Sequence, residues 1–233
     1  MVGASFWAWR RQGKLLAGWL SSGAVLLTHL RMTGAWVADP APGRRFQRAA
    51  LRLTPARADQ PRAVGFLDQR RFGWLEITAP AAARAAFAAT GPDALLQPLS
   101  GRELAARAGR SRSPLHAKLL DQRVLAGLGN IAASEIPWRA RVHPHAPART
   151  LTLPQWDALA DAVRAHLSYA LATDGPSAEA DDELIYMTAG GPNPFLCYGR
   201  AGEPCPRCQR PLQRGRQGGR STYWCPGCQP TLG

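Results

Sequence analysis

The sequence is short of lysine, of acid and of long apolar runs, and each shortage excludes something. Only Lys14 and Lys118 are lysines among 29 Lys and Arg residues, against 16 Asp and Glu, so the 233 residues carry a formal net charge of +13. A GC-rich genome accounts for arginine in place of lysine, but not for the scarcity of acid. The balance therefore favours a polyanionic partner, nucleic acid before membrane. No apolar run reaches the ~20 residues of a membrane-spanning helix. The best, Leu15 to Leu30, is broken by Ser21-Ser22-Gly23 and holds His29. No secretory signal precedes the cysteines, which argues against a disulfide scaffold and for a reducing, cytoplasmic setting, nucleoid-associated if the partner is DNA. There is no internal repeat and no long low-complexity tract.

The cysteines themselves are informative. Cys205, Cys208, Cys225 and Cys228 form two Cys-x-x-Cys pairs with sixteen residues between them. Two residues between cysteines let one tight turn aim both sulfurs at a point, and a β-hairpin joining two such turns gives a closed tetrahedral Zn²⁺ site. A pair of disulfides or a redox Cys-x-x-Cys is the alternative. Cys197 is expected to be a small buried residue. Arg207, Arg210, Arg214, Arg216 and Arg220 lie in or beside this module, with no acid after Glu203. So many guanidinium groups on a metal-stapled hairpin suit a phosphate backbone.

Upstream, residues 1–78 are predicted to be β structure. Leu15–Leu20 and Ala24–Leu30 flank a turn as a hairpin, and Trp36-Val37, Leu51–Leu53 and Ala63–Leu67 are further strands. The Ala- and Pro-rich stretch 79–93 is predicted as a linker. From Pro98 the period becomes helical. Ser113 is predicted to cap a helix with Pro114 in its first turn. Leu115, Leu119, Leu120 and Val124 form an apolar stripe that Gly127 and Gly129 interrupt. Asn130 is expected to cap the next helix, 131–139, whose N–H groups face a phosphate; an ordinary turn is the alternative. Thr152 and Gln155 form a capping box for a helix burying Trp156, Leu159, Val163 and Leu167. Stretch 173–183 is predicted as an acidic loop, and Gly190–Pro194 as a flexible one.

Several of these segments together resemble one family. Leu119-Leu120-Asp121-Gln122, Ala126 to Ala132 and Ser134-Glu135 look like the helix-two-turn-helix signature of the formamidopyrimidine-DNA glycosylase / endonuclease VIII family. Tyr198-Gly199-Arg200, Gly202 to Cys205 and Gly219 to Pro226 resemble its zinc finger. Arg11 to Leu16 is similar to its Arg-x-Gly-Lys strand, and His29 to Gly34 and Asp68 to Gly73 to its two void-filling loops. The resemblance implies an α+β fold with an incomplete N-terminal β-sandwich (1–80), a linker (81–94), a helix-two-turn-helix domain (95–189), and a loop with a four-cysteine zinc finger (190–233). It implies base-excision repair by a monomer on double-stranded DNA holding a damaged base or an abasic site. The base is flipped out, its glycosidic bond cleaved and the strand cut. Met32, Arg70, Arg71 and Phe72 are the kinds of side chain that fill the hole left in the stack. Asn130 and Arg220 would hold phosphates, with Arg48 and Tyr198 as further DNA contacts. Lys14 would be the proton donor of strand elimination, and Arg220 would act in its second step. Gly190–Pro194 sits where the family has a damage-recognition loop.

The sequence departs from the family in one important respect. The family attacks the sugar with a proline amine followed by a catalytic glutamate, Pro-Glu after the initiator Met, whereas this chain begins Met1-Val2-Gly3. Its first motif comes about fifty residues early, so the leading helix and first strands are expected to be missing. His116 falls where a lysine is common. Three outcomes are expected to compete: a mis-started ordinary enzyme, a binder of damaged DNA that does not cut, and a lyase using another amine, either Lys14 or the α-amine. Base excision is expected to be lost before strand cleavage.

Overall fold

The computed structural model describes residues 2–173 and 193–230. The stretch 174–192, and with it most of the acidic loop and Gly190–Pro192, lies outside the described residues. The chain divides after Phe87 into two compact units.

The first unit is two antiparallel sheets and one helix. Strands β1 (Phe6–Gln12), β2 (Leu15–Leu20), β3 (Val25–His29) and β7 (Trp74–Thr78) form a sheet in the order β1-β2-β3-β7. Strands β4 (Gly34–Ala38), β5 (Gln47–Arg52) and β6 (Ala63–Asp68) form another in the order β4-β6-β5. The β1–β2 turn needs Gly13 at φ 56°, and the predicted hairpin turn closes on Gly23 at φ 83°, a backbone region that suits glycine. Each expected strand overlaps one of β2 to β6, with Ala24, Leu30 and Leu53 falling just outside β3 and β5. Strands β1 and β7 were not delimited by periodicity, because their burial does not alternate cleanly.

The predicted linker is instead largely a helix, α1 (Pro80–Ala88). Pro80 occupies the first helical position, where its fixed φ and missing N–H cost nothing, and alanine is the best helix former. Ala83 and Phe87 are buried against Ala17, Val25 and Leu27 of β2 and β3, so this helix completes the first unit's core. Composition resembled a spacer only because the helix needs just two apolar anchors.

The second unit holds α2 (Gly101–Ala108), α3 (Leu115–Leu120), α4 (Asn130–Ala140), α5 (Leu153–Thr173) and a hairpin of β8 (Gln213–Gln217) with β9 (Arg220–Trp224). Its core gathers Leu104, Leu115, Leu119, Leu125, Leu128, Ile136, Trp156, Leu159 and Val163. Gln155 Oε1 accepts the Thr152 N–H at 2.9 Å at the start of α5, as its cap was expected to do. Two predicted caps differ. Pro114, extended at φ −58° and ψ 148°, is itself the residue before α3, and Ser113 stands outside the helix. Asn130 is the first residue of α4 and caps nothing, because Gly129 precedes the helix in extended conformation without a side-chain cap.

If α1 is a core element, Phe87→Ala costs the first unit about 3–5 kcal/mol, while Arg84→Ala on its exposed side stays within about 0.5 kcal/mol. Chemical denaturation of both variants checks this. Equal, negligible effects would restore the linker.

Candidate nucleic-acid interface and metal centre

The metal centre is built by two knuckles on the β8–β9 hairpin. Cys205 N–H donates to the Arg210 carbonyl at 2.9 Å, closing the first turn, and Gln229 N–H donates to the Cys225 carbonyl at 2.9 Å, closing the second. The four Sγ atoms lie within 4.8 Å of one another. Cys205 and Cys228 sulfurs are 4.0 Å apart, and those of Cys208 and Cys225 are 3.3 Å apart. A tetrahedron with Zn–S of about 2.3 Å has edges of about 3.8 Å, so these sulfurs fit one structural Zn²⁺ with small adjustment. Among the described residues every cysteine is free, and all four finger sulfurs converge on one point rather than in two pairs. Cys197 is buried beside the finger, and burial together with the nearby Glu135 pushes its thiol far above the ordinary range, so it is an inert core residue.

The finger is pinned to the helices by polar contacts that the sequence did not advertise. Buried Gln229 donates from Nε2 to the Val142 carbonyl at 2.8 Å and accepts from Cys225 N–H at 2.8 Å. Glu135 on α4, also buried, accepts the backbone N–H groups of Leu196 (3.1 Å), Cys197 (2.7 Å) and Tyr198 (2.9 Å). Tyr198 is thereby held half-buried, its ring edge-on to Tyr223 at 5.0 Å. Arg207 does not share the role expected of the finger's arginines. Its guanidinium stacks 3.8 Å from the Trp138 ring centroid and donates to the carbonyls of Trp138 and Arg139, closing the end of α4.

At the other end of α4 the expected phosphate ligands come together. Asn130 Nδ2 donates to the Ser221 carbonyl at 3.0 Å, next to Arg220 on β9. Its Oδ1 sits 3.1 Å from His116 Nε2. The preceding turn is stapled by Gln122, which accepts from Gly127 N–H at 2.9 Å and donates to the carbonyls of Leu120 and Leu128. Gly127 needs its positive φ of 111°, whereas Gly129 adopts ordinary extended backbone. In β9, Arg220 points to the same side as buried Thr222. Arg214 and Arg216, paired with Tyr223 and Ser221, project from the opposite face. The arginines of the hairpin therefore form two faces, and Arg220 is the one beside Asn130.

In the first unit, Met32 and Phe72 are 63% and 52% exposed on the two expected void-filling loops. The Arg70 guanidinium lies over the Phe72 ring at 5.1 Å. Arg71 is exposed at φ 59°. Arg48 sits at a register shift in β5 and donates from Nε to the Asp68 carbonyl at 2.8 Å. Lys14 follows Gly13 in the β1–β2 turn, its residue exposed. Sequence reasoning missed His116, Glu135, Gln229 and Asp68 as functional supports. His116, Glu135 and Asp68 stood in or beside the segments that resemble the family's with no supporting role attached, and Gln229 carried no signal.

Helices around an extended double turn, with a four-cysteine hairpin docked on them, define a helix-two-turn-helix, zinc-finger protein. Three domain families match in order: the formamidopyrimidine-DNA glycosylase N-terminal domain over residues 1–75, its helix-two-turn-helix domain over 90–182, and the zinc finger found in that glycosylase and in isoleucyl-tRNA synthetase over 202–231. The formamidopyrimidine-DNA glycosylase of Chloroflexus aggregans is 39% identical, over 94% of this chain and 78% of that protein. A crystal structure of the Thermus thermophilus protein superposes with a TM-score of 0.79 at 36% identity, covering 97% of this chain and 84% of that one. The Lactococcus lactis protein in complex with DNA containing an abasic site gives 0.82 at 26% identity, covering 98% and 83%. The chain belongs to the formamidopyrimidine-DNA glycosylase family.

Two outcomes follow from this geometry. Purified protein carries one zinc per chain; Cys225→Ser lowers that towards zero and exposes amides 205–229 to hydrogen exchange, while α5 stays protected. His116 is held by burial to a pKa of about 4, below its ordinary 6.5. The native state thus binds fewer protons than the unfolded chain in this window, and stability declines as pH falls from about 6.5 towards 4. His116→Gln makes the fall in melting temperature between pH 7 and pH 5 shallower. An unchanged slope would show that His116 takes up its proton freely in the native state.

Proposed function

We propose that the chain binds double-stranded DNA at a damaged base or an abasic site. The second unit holds phosphates through Asn130, Arg220 and the N–H groups of α4. The first unit fills the vacated base position with Met32, Arg70, Arg71 and Phe72, and Arg48 and Tyr198 make further contacts. The observation that carries this reading is the exposure of Met32 and Phe72 on loops tied down from below. Apolar side chains kept in water on ordered loops suit insertion into a base stack, where their burial becomes favourable. The uncapped start of α4 supports it, since free N–H groups and a positive helix end suit a phosphate. Asn130 spends one of its two Nδ2 hydrogens on Ser221, which leaves the second for a phosphate oxygen.

At an abasic site the chemistry needs an amine to attack the sugar aldehyde and a proton donor for the departing strand. Lys14 is assigned to the proton step, with Arg220 assisting the second elimination; attack by Lys14 itself would leave the proton step to another donor. Binding without cutting is the second reading, and the two differ in whether an amine of this chain attacks the sugar aldehyde.

One experiment separates them. Purified protein meets a duplex with a single abasic site, half for gel shift and half for borohydride trapping with the attached peptide identified by mass. A shift is expected in either case. An adduct on Lys14 or residue 1 establishes lyase chemistry, and no adduct establishes the binder. Met32→Ala should reduce the preference for the abasic duplex about tenfold, the size of one stacking contact. Arg220→Ala should weaken binding to every duplex and lower the salt slope by about 1. Failure to shift any duplex would overturn the proposal.

A further inference from the structure

The two exposed loops of the first unit share one buried anchor. Asp68 closes β6 and is 1% exposed. Its Oδ1 accepts the Thr33 hydroxyl at 2.5 Å and the Arg70 N–H at 3.2 Å, and its Oδ2 accepts the Gly73 N–H at 2.7 Å. Thr33 Oγ1 in turn accepts the same Arg70 N–H at 3.2 Å. Thr33 directly follows Met32, while Arg70 and Gly73 bracket Arg71 and Phe72, so one carboxylate ties both loops. The Asp68 carbonyl takes the Arg48 guanidinium as well.

Each loop carries a conformation that needs such a tie. Arg31, just before Met32, has φ 55°, and Arg71, just before Phe72, has φ 59°. Left-handed backbone at a side chain of this size persists only where surrounding contacts hold it. Arg31 N–H is held by His29 Nδ1 at 2.9 Å, and the Arg71 turn is spanned by the Asp68 bonds. No space exists for a larger residue beneath, since a Cβ on Gly73 would lie 2.7 Å from the Phe66 ring. Burial pushes the Asp68 carboxyl up, yet the hydrogen bonds from Thr33, Gly73, Arg70 and Arg71 outweigh it and keep the group ionised.

We infer that Asp68 is the positioning residue that sets the Met32 and Arg70–Phe72 loops in one fixed relation, and so determines how sharply a vacated base position is distinguished from an intact stack. This rests on the damaged-DNA reading above. Asp68 touches no DNA in this role; it acts through Thr33, Arg70 and Gly73. Replacing it with asparagine keeps the shape but sets an amide N–H against the backbone N–H of Gly73 or of Arg70, which breaks the shared anchor.

The test uses the full chain and two duplexes, one intact and one with an abasic site opposite 2-aminopurine. Wild type should prefer the abasic duplex and raise the 2-aminopurine fluorescence at saturation, as the opposite base is unstacked. Asp68→Asn and Thr33→Val should each lower the preference by between about ten- and a hundredfold, the cost of misplacing a contacting group by about 1 Å. They should also leave the fluorescence low at saturation, while affinity for intact duplex and its salt slope stay at the wild-type value. Thr33→Ser, which keeps the hydroxyl, should recover what Thr33→Val loses. If Asp68→Asn does not fold, Thr33→Val against Thr33→Ser decides. Wild-type preference and fluorescence in both Asp68→Asn and Thr33→Val would overturn the inference while leaving the damaged-DNA reading standing. A wild-type protein without abasic preference would overturn that reading, and this inference with it.

Discussion

A carboxylate removed from water must find hydrogen-bond donors, and in this chain the donors are loop backbones. Among the described residues the buried acids are Asp68, Asp93 and Glu135, and each accepts backbone N–H groups. Asp93 takes the N–H groups of Leu95 and Leu96, at 2.9 and 3.0 Å, where the chain turns towards α2. Glu135 takes three at the base of the finger, and Asp68 gathers two loops. A buried charge with several such bonds is close to fully satisfied, and removing it strands donors that nothing else can meet. The loops are thus tied to the elements that carry the acids.

This use of acid bears on the charge. Had these three carboxylates been paired with guanidinium groups, those groups would be drawn into the fold and away from a partner, at the same net charge. Meeting them with amides leaves the arginines outward. With a net +13, the field around the protein stays strongly positive, which speeds encounter with a polyanion and makes binding depend on salt.

How much of this was legible depended on whether the cause was local. The Leu15–Leu30 hairpin was visible because Ser21-Ser22-Gly23 supplies turn chemistry between two apolar runs, and α5 because Thr152 and Gln155 mark its start. The four zinc ligands were visible because metal geometry dictates their spacing. Helix α1 was not, since its identity is fixed by burial of Ala83 and Phe87 against strands more than fifty residues away in sequence. Asn130 was misread as a cap for the same reason. An asparagine after glycine at a helix start has the local chemistry of a cap, but here a tertiary partner at Ser221 and a buried histidine claim both ends of its amide. The anchor role of Asp68 was hidden because it was legible only as one letter of a loop motif.

Counting arginines in the finger was similarly informative about the partner and uninformative about the grip. Arg207 is consumed by Trp138 and the end of α4, so its substitution should loosen the docking of the finger rather than weaken a phosphate contact. Arg214 donates to the Ser221 hydroxyl at 3.0 Å on one face of the hairpin, and Arg220 stands on the other beside Asn130. The strand period of two separates residues that a linear count pools. What makes Arg220 special is its register: it begins β9 opposite Gln217, one residue from the carbonyl that α4 holds through Asn130. The hairpin therefore aligns one guanidinium with one helix start, and the zinc ion, by fixing the hairpin, fixes that alignment.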